Sequence, residues 1–145
     1  MFPDSAQVPK PSLLDILFGI FLRIVSLSAF WYGLCYWAML IGYSFNGEGR
    51  FDLLPVPWRA AAAALAVVFP VAAVGLWLLV SWGPVIWLLG AAIELTMFEF
   101  YPAVFGTRPV LLAAHAMIVA TFLAFQAVFA WERYKKAKAA RVHSP

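Results

Sequence analysis

Residues 85–105 read VIWLLGAAIELTMFEFYPAVF, an apolar run of membrane length that nevertheless carries two carboxylic acids, Glu94 and Glu99. A segment this apolar has to cross a bilayer or lie in a large core. The acids have to be accommodated by whatever packs against it. A spanning helix needs about 20 apolar residues to cross roughly 30 Å of hydrocarbon, and the sequence between Leu13 and Trp131 has room for four such spans. The chain has 145 residues, 65% hydrophobic and 12% charged, which leaves little for a soluble domain. A membrane barrel would show strands of about ten residues in apolar/polar alternation, whereas these runs are continuously apolar. The expected fold is therefore all-α: a single-domain integral membrane four-helix bundle with a long first helix and short hairpin turns.

Residues 1–12, MFPDSAQVPKPS, hold three prolines and no apolar periodicity, and are expected to form a disordered arm. The arm ends in a helix cap at Ser12, with Asp15 three residues on. Asp4 and the bulky FWYGLCYW do not fit a cleavable export signal, so the first span is expected to stay attached. The spans are expected at about 13–44, 60–80, 85–105 and 110–131, followed by a basic tail over 132–145. Ser26, Ala29 and Gly33 recur at helical spacing on the first span and form a small-residue face for close helix packing. Pro70 interrupts the second span, where a kink is expected. The turns are SWGP at 81–84 and GTRP at 106–109; the one sizeable loop runs from Asn46 to Trp58.

Charge gives the orientation. With four spans both ends share a side, which collects Lys10, Arg23, Arg133, Lys135, Lys136, Lys138 and Arg141. Arg50, Arg59 and Arg108 lie on the other. Seven cations against three put both termini in the cytoplasm. The net charge of +3 is then a matter of membrane orientation, and no nucleic-acid partner is expected. Arg23, Trp58, Arg59 and Trp131 read as interfacial anchors. The tail reads as an orientation signal and a contact for anionic lipids.

An ionised carboxylate at mid-bilayer costs roughly 2.5 to 3.5 kcal/mol even on the translocon scale. Glu94, near the middle of its span, must therefore be protonated, paired or hydrated. Glu94 and Glu99 are five positions apart, about 140° around a helix, so they face different neighbours. Counting outward from the turn at 106–109 sets Glu99 opposite His115 and Glu94 opposite Thr121. Arg23 is a competing partner for Glu94. These four residues, Glu94, Glu99, His115 and Thr121, form the candidate intramembrane polar site. It is open to two readings: a proton or cation path, or a pair of hydrogen bonds that fix helix register.

No cofactor or metal is expected. His115 is the one histidine inside a span, His143 lies in the tail and Cys35 is the sole cysteine, too few ligands for haem or a metal. An enzyme would need a convergent cluster of polar groups, and none is visible in the sequence.

The loop GRFDLLPVPWR and the hairpin GLWLLVSWGPVIWLL resemble a family of small, uncharacterised bacterial inner-membrane proteins classed as a domain of unknown function. The resemblance covers most of Leu13 to Trp131. It implies an inner-membrane location and no established catalytic residues. A weaker similarity, in length and four-span layout only, is to the DoxX-like membrane proteins, and it implies no quinone or redox role.

Two functions are compatible with these features. One is a non-enzymatic accessory or envelope-assembly subunit acting by helix association. The other is a small oligomeric transporter or proton-conducting protein built on Glu94, Glu99 and His115. Either implies a homo-oligomer or a larger membrane complex.

Overall fold

The computed structural model describes residues 9–43 and 51–144. The expectations for the first eight residues of the arm, for a first span reaching Ser44 and for Asn46–Arg50 of the loop lie outside those residues. The structure is 85% helical, with no strand among the described residues. Its helices are α1 (Leu13–Leu40), α2 (Val56–Trp77), α3 (Trp82–Leu95), α4 (Pro102–Phe105) and α5 (Pro109–Val142). A 3₁₀ turn over Phe51–Leu53 precedes α2, and a π-helical turn over Thr96–Phe100 continues α3. Four helices are long and apolar enough to cross a membrane: α1, α2, α3 with its π-helical extension, and α5. The chain divides into two compact units, Met1–Leu88 and Leu89–Pro145.

In the first unit α1 opens with a reciprocal cap. The backbone N–H of Asp15 donates to Ser12 Oγ at 3.2 Å, and the N–H of Ser12 donates to Asp15 Oδ2 at 2.9 Å, so each satisfies a donor the helix cannot. The helix stops at Leu40 because Gly42, at φ +78°, turns the chain left-handed. The N–H groups of Gly42 and Tyr43 donate back to the carbonyls of Met39 and Ala38, which is a Schellman cap.

The buried stripe of α1 is Leu22, Val25, Ser26, Ala29, Gly33 and Tyr36, and it packs on α2. Lipid chains are as apolar as leucine, so close packing and interhelical hydrogen bonds hold such a contact together. Ser26 Oγ donates to the carbonyl of Ala73 at 2.6 Å. Phe69 stacks on Tyr36, with ring centroids 6.2 Å apart. Pro70 lies inside α2, where its missing N–H leaves the carbonyl of Ala66 without its helical donor.

The connection from α2 to α3 is tight. Leu79 holds φ +57°, and the N–H groups of Leu79 and Val80 donate to the carbonyls of Leu76 and Gly75. The geometry is the same Schellman cap, here with a leucine in the position that favours glycine. Gly75 and Gly83 let the two helices meet backbone to backbone. A Cβ on Gly83 would lie 2.6 Å from the amide nitrogen of Leu76.

In the second unit the third span departs from the expected straight helix over 85–105. Pro102 has no N–H, its ring crowds the carbonyl four residues back, and the residue before it is driven out of the α region. Tyr101 accordingly lies at φ −126°, ψ 49°. The chain widens into the π turn before this break and resumes as the single turn of α4 after it. Gly106, at φ +79°, closes α4 with its N–H donating to the carbonyl of Pro102 at 2.8 Å. Helix α5 runs unbroken from Pro109 through the basic residues of the tail to Val142. Alanines at 137, 139 and 140 and the absence of proline or glycine allow that continuation.

Candidate functional site

Glu94 lies in the last turn of α3, directly before the π-helical turn, and has no exposed surface. Ala91, Met97 and Phe98 are buried around it in sequence. On α5 only Leu111 and His115 are buried, one helical turn apart on one face. His115 Nε2 and Glu94 Oε2 share a hydrogen bond that also qualifies as an ion pair when the ring is protonated. Either the imidazole N–H donates to a carboxylate or a protonated carboxyl donates to the ring nitrogen. Both arrangements let an acid lie at a depth where an isolated carboxylate would be costly.

The expected pairing of Glu99 with His115, and of Glu94 with Thr121, is therefore corrected. Glu99 is exposed on the π-helical turn. Thr121 is exposed too, and its Oγ1 donates to the carbonyl of Met117 at 2.8 Å within its own helix. The error came from the assumed turn. The third span ends at Phe100 and α5 begins at Pro109, so the connection is residues 101–108. Measured from those ends, Glu94 lies six residues before Phe100 and His115 six after Pro109. Equal distance from the helix ends does give equal depth, and it selects Glu94.

The other residues singled out from sequence fall as follows. Ser26, Ala29 and Gly33 are buried between α1 and α2. Arg23 is exposed in the first unit, its guanidinium 5.6 Å from the centre of the Trp77 ring. Trp58 and Arg59 are half-buried in the first turn of α2. Trp131 is exposed on α5, stacked on Tyr134 at 6.0 Å, with Lys135 Nζ 5.5 Å from its ring centre. Two contacts had no sequence signal of their own, the Ser26–Ala73 bond and the approach of Arg108 to Phe98, 5.3 Å from guanidinium to ring centre.

Chemically, the site is one acid and one imidazole bonded to each other. Among the described residues no group of three His, Cys, Asp or Glu side chains could hold a metal ion. The groove nearest in sequence, lined by Ala92, Ile93, Thr96, Met97, Tyr101 and Phe105, is almost wholly apolar and includes neither partner of the pair. The second-unit arrangement can hold a proton between two side chains and fix the register of α3 against α5.

No curated protein and no solved structure shows significant similarity to the chain. The profile of one family does match, over residues 16–133, and by that match the chain belongs to DUF6163, a family of unknown function.

Proposed function

We propose that this chain is a small multi-pass protein of a bacterial inner (plasma) membrane that acts without catalysis, as an accessory or envelope-assembly subunit associating through its helices. The observation that carries this reading is the sparse burial of α5. Of its 34 residues only Leu111 and His115 are buried. Val110, Met117, Leu123, Val128 and Trp131 are all exposed. A span that buries so little within its own unit leaves most of its apolar surface for lipid or for other helices, including those of another subunit, whether a second copy or a different protein.

In this reading the Glu94–His115 bond is structural, a polar contact that sets helix register. The termini face the cytoplasm, and the basic end of α5 stands beside anionic headgroups. At 1.5 Å per residue, Arg133, Lys135 and Lys136 lie within one Debye length, about 8 Å, of the depth of Trp131.

The second reading is a small oligomeric transporter or proton-conducting protein, and the burial of an ionisable pair favours it. The exposed position of Glu99 weighs against a continuous path through Glu94, Glu99 and His115.

Purification of the full chain in a gentle detergent, with mass spectrometry of what accompanies it, separates the two. A second polypeptide in stoichiometric amount supports the accessory role. A homo-oligomer that conducts protons in vesicles, and stops doing so as Glu94→Gln, replaces it with the second reading.

A further inference from the structure

A groove of about 340 Å³ runs between α1 and α2 in the first unit, lined by Ser26, Leu27, Phe30, Val74, Trp77 and Leu78. Its lining is apolar in effect, because the one hydroxyl, of Ser26, is already donated to the carbonyl of Ala73. Leu27, Phe30, Val74, Trp77 and Leu78 are all exposed, so nothing among the described residues of the first unit covers it. Arg23 lies three residues before Ser26, with its guanidinium against the face of Trp77. Arg23 is exposed, and among the described residues no carboxylate pairs with it.

The depth of this cation is fixed within the unit. Trp77 is the last residue of α2. A Cβ on Gly19, one turn before Arg23, would lie 3.6 Å from Cδ1 of Leu79 in the turn that follows. The guanidinium is thus level with the end of a span, where headgroups are, and the groove leads from it along the span toward the bilayer centre. An aromatic ring at that level, a cation held against it and an apolar channel beneath make three parts of one amphiphile's outline.

We propose that Arg23, Trp77 and this groove form a discrete binding site for one anionic phospholipid, its phosphate on the guanidinium and an acyl chain along Leu27, Phe30 and Val74. Charge complementarity selects the headgroup, since an unpaired surface cation attracts anionic lipid. Burial of methylenes against the groove adds the chain's contribution. The site is built from residues of the first unit alone and does not depend on whether the protein is an accessory subunit or a conductor.

The test is native mass spectrometry of the full chain in a gentle detergent, titrated with phosphatidylglycerol and, in parallel, with phosphatidylcholine. Wild type should retain one phosphatidylglycerol in preference to phosphatidylcholine. Arg23→Gln should weaken that adduct about fivefold, whereas Arg23→Lys, which keeps the charge, should hold it. Val74→Trp, which fills the groove at an exposed position, should also weaken it. Replacing the five tail cations by glutamine should leave the tightest adduct in place. The proposal fails if Arg23→Gln and Val74→Trp both bind as wild type does. It fails equally if the adduct disappears with the tail cations, or if inorganic phosphate displaces the lipid from Arg23.

Discussion

The ring of Pro70 occupies the space that a side chain on Gly33 would need: a Cβ there would lie 2.8 Å from both Cδ and Cγ of the proline. Helix α1 therefore needs a glycine at this position because α2 carries a proline at the facing one. The ring is rigid and Gly33 is buried, which leaves the contact little room to relax. Gly33→Ala should lower thermal stability in detergent by about 1–3 kcal/mol, the usual range for overpacking. Pro70→Ala should recover part of that loss in the double variant, because it removes the ring that the new methyl meets. An unchanged melting temperature for Gly33→Ala would show that the two helices can separate at no cost, and would remove this contact as the determinant of their spacing.

The bond between Glu94 and His115 makes a second prediction. In a double-mutant cycle with Glu94→Gln and His115→Gln, the two substitutions should couple by about 0.5–2 kcal/mol, as membrane polar contacts do. The same cycle with Glu99→Gln should be additive, because Glu99 is exposed on the π-helical turn. Glu94→Gln alone keeps size and hydrogen bonding, so a register-setting role predicts normal accumulation and phenotype. A well-folded but inactive Glu94→Gln protein would instead transfer the case to proton carriage.

Which parts of this arrangement were legible in the sequence depends on which were written in local chemistry. The four membrane-length helices follow from apolar runs, and the cap at Ser12 from its spacing to Asp15. One element end was misplaced although its signal was present: Pro102 ends the third span before Phe105. The wrong partner for His115 followed directly from reading a helix through Pro102. The π-helical turn left no signal that could be separated from an ordinary helix, since its residues are as apolar as their neighbours. The basic residues after Trp131 mark the end of the apolar surface and not of the helix, which continues to Val142.

Leu79 stands at φ +57° in a cap where glycine is the unstrained residue. An L-residue in that conformation costs about 1–2 kcal/mol. Leu79→Gly should therefore leave stability unchanged or raise it by up to about 1 kcal/mol, the relief of strain being offset by lost contact of a half-exposed side chain. Gly42→Ala, the reverse exchange in the equivalent cap of α1, should lower stability by about 1 kcal/mol. Thermal unfolding of both variants in one detergent gives the comparison. Destabilisation by Leu79→Gly comparable to that by Gly42→Ala would mean that the leucine is held there by packing worth more than the strain.

The orientation prediction rests on charge and on the course of the chain. Counted along the sequence, seven cations are expected on the side of the termini and three on the other, and a bias of that kind predicts both termini in the cytoplasm. The described structure supplies two sites for testing it that perturb little. Leu53 is exposed in the 3₁₀ turn before α2, and Ala140 is exposed near the end of α5. Leu53→Cys and Ala140→Cys, each on a Cys35→Ala background, should differ in their reaction with a membrane-impermeant thiol reagent in intact cells. Position 53 should be labelled from outside, and position 140 only after the membrane is opened. Labelling of position 140 alone would invert the protein. Labelling of both would mean an even number of crossings between them, which would remove one of the four helices from the set that spans.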